Sequence, residues 1–234
     1  RLATGNGVML DPKSAFYWYR QAGEQGHVQG QCEVGMCYLN GLGTDKSAGD
    51  ALSWFQKAAE KGDAKAQWKL GSLWISGKGV PKKDLKQAFL WCHRAADSGF
   101  TAGEATLGIL YARIGKPELA ANWFEKAAKS GDPEAQYNLA MLYRQGLGVQ
   151  KSPEQSFYWF EKAANNSVVA AQSRLGVMYA SGQGVVTDPI EAHKWFLVAA
   201  RSGENSATVN CAKSAEILDQ GQISEARRRA NCWA

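Results

Sequence analysis

The chain has 234 residues, of which 45% are hydrophobic and 21% charged, and this composition is that of a folded domain rather than a disordered chain. The formal net charge of +5 is spread along the sequence, and its densest basic run is Arg227-Arg228-Arg229, which argues against nucleic acid as the main partner. No apolar run approaches the roughly 18 residues that a membrane-spanning helix requires, so we predict no membrane insertion.

One motif, Trp-aromatic-x-x-Ala-Ala with small variations, occurs six times and contains six of the nine tryptophans. We number each copy from its tryptophan as position 0. These tryptophans are Trp18, Trp54, Trp91, Trp123, Trp159 and Trp195. Successive copies are 36, 37, 32, 36 and 36 residues apart. A fixed period in this range indicates a repeat protein in which each repeat is one supersecondary unit.

Each repeat has the pattern of two helices. In the first helix, small or apolar residues at positions −3, 0, +1, +4 and +5 form an amphipathic stripe. A glycine at position +8, replaced once by Asn166-Ser167, predicts a left-handed residue at the end of that helix. In the second helix, a small residue at position +17 indicates close approach of another helix, and we expect the position-0 tryptophan to fill that notch. The notch residues are Gly35, Gly71, Gly108, Ala140, Gly176 and Ala212.

A Gly-x-Gly element follows most of the second helices. It lacks the third glycine, the preceding strand and the Lys-Ser/Thr pair of phosphate-binding loops, so it predicts turns that need positive φ. The copies are Gly5-Asn6-Gly7, Gly41-Leu42-Gly43, Gly77-Lys78-Gly79, Gly146-Leu147-Gly148 and Gly182-Gln183-Gly184. The short 32-residue step omits this element, and there we expect Pro117 to open the next helix directly.

The segment from Ser152 to Phe196 carries nearly all of these motifs, and on them the chain resembles the Sel-1-like repeat family of the tetratricopeptide superfamily. The resemblance implies an all-α fold, a right-handed α-α superhelix or TPR-like solenoid of about six helix pairs. It also implies that an amphipathic tail over 222–233 caps the last repeat. Residues 1–8 align with the end of a second helix and are interpreted as the remnant of an upstream repeat. The repeats span roughly 11–46, 47–82, 83–115, 116–151, 152–187 and 188–220.

The sequence shows no arrangement typical of a reactive centre. The cysteines are Cys32, Cys37, Cys92, Cys211 and Cys232, and the histidines are His27, His93 and His193. Neither set has the spacing of metal ligands or of a catalytic triad. We therefore predict no catalytic, metal or cofactor site, with the cysteines as free thiols in the core. A disulfide between Cys211 and Cys232 is the alternative.

Localisation is left open by two opposite indications. An odd number of cysteines without pairing spacing favours a reducing compartment such as the cytoplasm. The family resemblance points weakly to the periplasm or to secretion. Neither assigns a compartment to this chain.

Positions −1, +2, +3 and +6 of the first helices point away from the predicted core, for example Gln56 and Lys57 in the second repeat and Val198 in the last. In tetratricopeptide-like stacks this side is concave, and aromatic, arginine and apolar residues there are typical of binding hot spots. The predicted partner-binding residues are Tyr17, Arg20, Leu90, His93, Arg94, Asn122, Tyr158, Glu161, Lys194 and Leu197.

These residues predict a non-enzymatic scaffold or adaptor that binds a peptide or protein segment in the concave groove. One alternative is a secreted or periplasmic bacterial factor that engages a host protein. Another, through resemblance to cysteine-rich relatives, is a penicillin-binding or β-lactamase-like enzyme. The last is disfavoured because no Ser-x-x-Lys stands in a convincing nucleophile context.

Overall fold

The computed structural model describes residues 11–233, and within this range every regular element is an α-helix. The helices are α1 (Pro12–Glu24), α2 (Val28–Asn40), α3 (Ala48–Glu60), α4 (Ala64–Ser76), α5 (Leu85–Asp97), α6 (Thr101–Arg113), α7 (Pro117–Lys129), α8 (Pro133–Gln145), α9 (Pro153–Asn165), α10 (Val169–Ser181), α11 (Pro189–Arg201), α12 (Asn205–Glu216) and α13 (Gln220–Trp233). The predicted remnant of an upstream repeat, at 1–8, lies outside the described residues.

The helices form successive pairs, each consisting of a first helix with its tryptophan and a second helix. The chain divides into two compact units, one ending at Leu107 and the other beginning at Gly108, so the division falls within α6. In the first unit α1 to α4 each pack against the next helix in the chain, and in the second unit α7 to α11 do the same. Packing between neighbours in sequence is the defining feature of repeat proteins.

The starts of the first helices are set by local chemistry. The side chain of Asp188 accepts hydrogen bonds from the backbone N–H groups of Ile190 (2.9 Å) and Glu191 (3.0 Å), which satisfies donors that the first turn of α11 cannot pair itself. Pro117 opens α7 as the sequence predicts, because proline at the first helical position has no N–H to satisfy. Local residues thus position each first helix.

The ends of the first helices also follow the prediction. Gly203, at position +8 after α11, has φ of +85°. Ser167 stands in the same place after α9 and has φ of +64°, and it is the one non-glycine residue with positive φ among those described. A side chain in this region carries a steric cost that glycine avoids. The repeat geometry therefore imposes a strained backbone on Ser167.

A buried glutamine at position +13 connects the two helices of four repeats. Its Nε2 donates to the backbone carbonyl of the residue at position +5 of the first helix, at 3.1 to 3.3 Å. These glutamines are Gln31, Gln67, Gln136 and Gln172. Glu104 occupies the equivalent position in α6, where it is 8% exposed, and its Oε2 has no hydrogen-bond partner in the described part of the chain. A carboxylate cannot donate this hydrogen bond, so the α5–α6 pair lacks it.

The notches on the second helices are filled by position +1 of the following first helix. A Cβ atom placed on Gly35 would lie 2.7 Å from Cδ1 of Phe55, and one placed on Gly176 would lie 2.6 Å from Cδ1 of Phe196. Phe55 is fully buried, and Phe196 is 4% exposed. The prediction that the position-0 tryptophan fills the notch is therefore wrong. Adjacent positions on a helix differ by about 100° in direction, and the second helix faces position +1.

The cysteines within the described range are all free, so no disulfide joins Cys211 to Cys232. Cys32, Cys37 and Cys92 are buried, which confirms the core prediction for these three. Burial raises the pKa of the Cys32 and Cys92 thiols to about 12. Cys211 is half-buried and Cys232 is exposed, so the core prediction is wrong for Cys232. The exposure follows from its place on the side of α13 that faces solvent.

Candidate functional site

The side chains of a first helix that point away from its second helix form what we call its outward stripe, namely positions −4, −1, 0 and +3. Residues at this spacing lie on one face of a helix. The outward stripe of α7 is Leu119, Asn122, Trp123 and Lys126; that of α9 is Gln155, Tyr158, Trp159 and Lys162; that of α11 is Glu191, Lys194, Trp195 and Val198.

Large apolar side chains are exposed on the outward stripes. At position −1, Tyr17 is 55% exposed, Leu90 43% and Tyr158 44%. Trp18, at position 0 of α1, is 61% exposed. Scattered apolar residues are normal on a protein surface, but these recur at one register position of the repeat. The exposed apolar side chains therefore lie on one face of the first helices that carry them.

The tryptophans lie at the border between this surface and the core. Trp54 packs against the preceding first helix, where a Cβ on Gly23 would lie 3.0 Å from its Cζ3. No described helix precedes α1, and Trp18 is correspondingly open. The remaining tryptophans of the motif range from half-buried to buried.

A cation at position +3 covers an aromatic ring on four of the first helices. Lys57 Nζ lies 4.3 Å from the centroid of a Trp54 ring, and Lys126 Nζ lies 4.2 Å from that of Trp123. Arg94 stands over Trp91 at 4.7 Å, and Lys162 over Tyr158 at 5.6 Å. Cation–π contacts of this kind are favourable even at exposed sites. Each of these stripes therefore presents a ring and a positive charge together.

The outward stripe of α7 borders a cavity of about 400 Å³. Leu119, Asn122, Trp123 and Lys126 line it, together with Glu125 and Lys129 from the same helix. Glu125 and Lys129 form an ion pair at 2.6 Å. Leu119 is 39% exposed, so an apolar side chain is open to the cavity. A shallow space with apolar walls and a cationic rim suits a side chain or a helix face rather than a small molecule.

The outward stripe of α11 is covered by α13, which packs against α11. Arg229 Nη1 of α13 lies 2.7 Å from Glu191 Oε1, and the rings of Trp195 and Trp233 meet edge to face at 5.5 Å between centroids. Val198 is 5% exposed, although position +3 is exposed in α3, α5, α7 and α9. The prediction that Val198 points into solvent is wrong, because α13 takes the place of solvent there.

Further contacts hold α13 in this position. Arg201 at the end of α11 donates to the backbone carbonyl of Ala230 (3.3 Å) and to Oδ1 of Asn231 (2.6 Å). Ile223, Ala226 and Ala230 form the buried face of α13. Meanwhile Val209 of α12 remains 53% exposed, and Ala212, its notch residue, is exposed as well. The predicted cap thus covers the outward side of α11 and leaves the stacking side of α12 open.

The predicted partner-binding residues divide by exposure. Tyr17, Arg20, Leu90, Arg94, Asn122 and Tyr158 are exposed, whereas His93, Glu161, Lys194 and Leu197 are half-buried. Lys194 has a side chain only 15% exposed, and it pairs with Glu191 at 2.9 Å. The predicted outward direction of position +3 already placed Lys126 and Lys162 on this surface, but sequence reasoning missed Leu119 and Trp123. The available signal was the repeat register itself, which places both on the outward stripe.

The described range holds neither a cluster of three or more His, Cys, Asp or Glu residues placed to bind a metal nor a helix long and apolar enough to cross a membrane. His193 is 2% exposed, and its Nδ1 lies 2.7 Å from Ser214 Oγ. Burial, with Arg227 nearby, lowers the pKa of His193. Because both residues are buried, we interpret this pair as part of the α11–α12 packing.

A protein-family model described as Sel1 repeat matches residues 1–27, 28–63, 64–100, 112–132, 133–168 and 169–204, which is more than half of the chain. A curated rat protein, DAP3-binding cell death enhancer 1, is 42% identical over 156 residues. This alignment covers 64% of the chain and 30% of the rat protein, so the chain spans less than a third of that relative's length.

Solved structures show the same fold. A Sel1 repeat protein from Oxalobacter formigenes is 32% identical, with a TM-score of 0.76, over 85% of this chain and 80% of that one. The protein c5321, a protective antigen of uropathogenic Escherichia coli strains that displays an SLR fold, is 27% identical, with a TM-score of 0.66, over 99% of this chain and 58% of that one. These likenesses confirm the predicted all-α, TPR-like class of solenoid.

Proposed function

The chain belongs to the Sel1 repeat family, and from this we propose that it is a non-enzymatic scaffold or adaptor that holds a segment of a partner protein against the outward stripes of its first helices. The Sel1 repeat fold is typical of protein–protein interaction scaffolds. The name of the rat relative describes a protein that binds another protein, DAP3. That name supports protein binding as the activity of this chain and does not identify its partner.

One observation carries the proposal. Tyr17, Leu90 and Tyr158 stand at the same register position of three first helices and are 43 to 55% exposed. The α5 and α9 helices each bury five other residues, so Leu90 and Tyr158 are not part of the core. Apolar and aromatic anchors surrounded by charged residues are the usual composition of an interface hot spot.

The alternatives receive less support. The enzyme hypothesis gains no support from the name of the rat relative, and the described residues hold no cluster of three or more His, Cys, Asp or Glu placed to bind a metal. The hypothesis of a secreted bacterial factor is also weaker. The rat relative is 42% identical to this chain, whereas the two bacterial structures are 27% and 32% identical.

The test replaces Tyr158 and Leu90 together by Glu. We expect capture of a partner from the native host by the 234-residue chain to be lost, because carboxylates replace two apolar anchors. The melting temperature should stay nearly unchanged, because both side chains are exposed. A control variant replaces Lys13 and Lys86, which are exposed on the same helices as Tyr17 and Leu90, by Glu and should retain capture. Capture that survives the Tyr158 and Leu90 changes would refute the proposal.

A further inference from the structure

The structure itself contains a helix bound to an outward stripe. α13 packs on α11, its small residues Ala226 and Ala230 are completely buried, and Ile223 is 7% exposed. Among residues 11–233 no helix covers the same register positions on α7 and α9, where Tyr158 is 44% exposed and Leu119 is 39% exposed. An outward stripe of this protein can therefore accept an amphipathic helix with a face of small side chains.

Charge distinguishes the covered stripe from the open ones. On α11, position −4 is Glu191 and position +3 is Val198, and Glu191 pairs with Arg229 of α13. On α7 and α9, position −4 is uncharged and position +3 is a lysine. A lysine at position +3 would be buried beneath α13 where Val198 lies, which is unfavourable because buried charges need partners. The Arg-rich helix therefore fits α11 and not α7 or α9.

The lysines of the open stripes can form ion pairs with carboxylates of a partner. Lys126 and Lys162 are exposed, and the described part of the chain places no carboxylate within 4 Å of either Nζ. Each stands over a ring of its own helix, which holds the charge beside an apolar surface. A partner that covers the ring brings its own groups next to the lysine. Carboxylates of the partner are the groups whose binding is favoured beside these lysines, because complementary charges select one partner over another.

We propose that the outward stripes of α7 and α9 bind an acidic amphipathic helix of a partner protein. Carboxylates of that helix lie over Lys126 and Lys162. Its small apolar residues pack against Leu119, Trp123 and Tyr158, as Ala226 and Ala230 pack on α11. This inference rests on the proposed function and adds the chemical class of the partner segment.

The probes are two synthetic 14-residue peptides that share the buried face of α13. One has the sequence of residues 220–233, and the other has Glu in place of Arg227, Arg228 and Arg229; both carry Ser in place of Cys232. Fluorescence polarisation measures their binding to the 234-residue chain. We expect the acidic peptide to bind at least about tenfold more tightly than the basic one, and its binding to weaken as salt is raised.

Two double variants test the charge contacts. One reverses charge on the outward stripes, and the matched control reverses charge away from them. Lys126→Glu with Lys162→Glu should weaken binding of the acidic peptide about tenfold or more, since two favourable charge contacts become repulsive. Lys151→Glu with Lys213→Glu makes the same change in net charge in a loop and on a second helix, and it should leave binding unchanged. Equal binding of both peptides, or a charge reversal on the stripes that has no effect, would overturn the inference.

The two proposals fail in different ways. If capture of the natural partner is lost in the Tyr158 and Leu90 variant but survives in the Lys126 and Lys162 variant, the scaffold function stands and the acidic helix is refuted. If capture survives in both variants, the outward stripes are not the binding surface and both proposals are refuted. If both variants lose capture while the control with Lys151 and Lys213 retains it, and the acidic peptide binds more tightly than the basic one, both proposals are supported.

Discussion

The α9–α10 and α11–α12 pairs lie next to each other in the second unit and share their inward packing. Phe160 and Phe196 at position +1 are both buried and pack against the preceding second helix, Phe196 at the notch residue Gly176 and Phe160 beside Tyr137 of α8, with 5.6 Å between ring centroids. They differ outward, because α13 covers α11 while the stripe of α9 is open. The comparison shows that the buried side of α9 faces its second helix and the exposed side faces outward, and under the proposed function these two sides serve stability and binding respectively.

The shared inward packing gives the largest expected effect. Phe160→Ala should lower the free energy of unfolding by about 3–5 kcal/mol, because it leaves a cavity in the core. Phe196→Ala should have a similar effect. Urea titration of each variant measures it, and Tyr158→Ala is the matched control, since an exposed aromatic should cost less than about 1 kcal/mol. A cost for Tyr158→Ala equal to that of Phe160→Ala would contradict the division between the two sides.

The next prediction concerns α13, the helix that covers the outward stripe of α11. Ala230→Glu places a carboxylate in the fully buried face of α13 and should cost about 2–3 kcal/mol, enough to detach that helix. Hydrogen exchange should then show lost protection over Gln220–Trp233 and preserved protection in α9 and α10. Ser224→Glu on the exposed side of α13 is the control and should change neither. Protection of α13 that persists in the Ala230 variant would show that its contacts with α11 are not what holds it.

A smaller effect tests the turn that ends each first helix. Ser167→Gly should stabilise the chain by about 1 kcal/mol, because it relieves a positive φ that disfavours side chains. Gly203→Ser at the equivalent position after α11 should destabilise it by about the same amount. Thermal or urea unfolding measures both. Changes of the same sign in the two variants would show that the two turns are not equivalent.

The smallest expected effect is on the pH dependence of the free energy of unfolding, to which α11 should contribute and α9 should not. Position −2 is His193 in α11 and Phe157 in α9. Burial lowers the pKa of His193, so as pH falls below its ordinary value of 6.5 the unfolded chain binds a proton that the folded chain does not. The free energy of unfolding should therefore decrease as pH falls through 6.5. His193→Gln should remove this contribution to the slope, and a slope that remains identical would assign it to other groups.

The repeat period, the helix ends and the all-α class could be read from the sequence because they depend on local chemistry. Glycine at position +8 and Pro117 at a helix start act within one turn of the chain. The family motif added the helix-pair architecture. The prediction that the tryptophan fills the notch failed because an amphipathic stripe shows which side of a helix is buried, and not which buried residue meets a given neighbour.

What the sequence determined by itself was therefore the pairing of helices and the side of each first helix that faces its second helix. Tertiary structure decided which outward stripe is covered. Val198 and Lys162 occupy the same register position, but only Val198 is buried, because α13 folds onto α11, where Glu191 can pair with Arg229. That outcome depends on contacts between segments about 38 residues apart in the chain, which no local periodicity encodes.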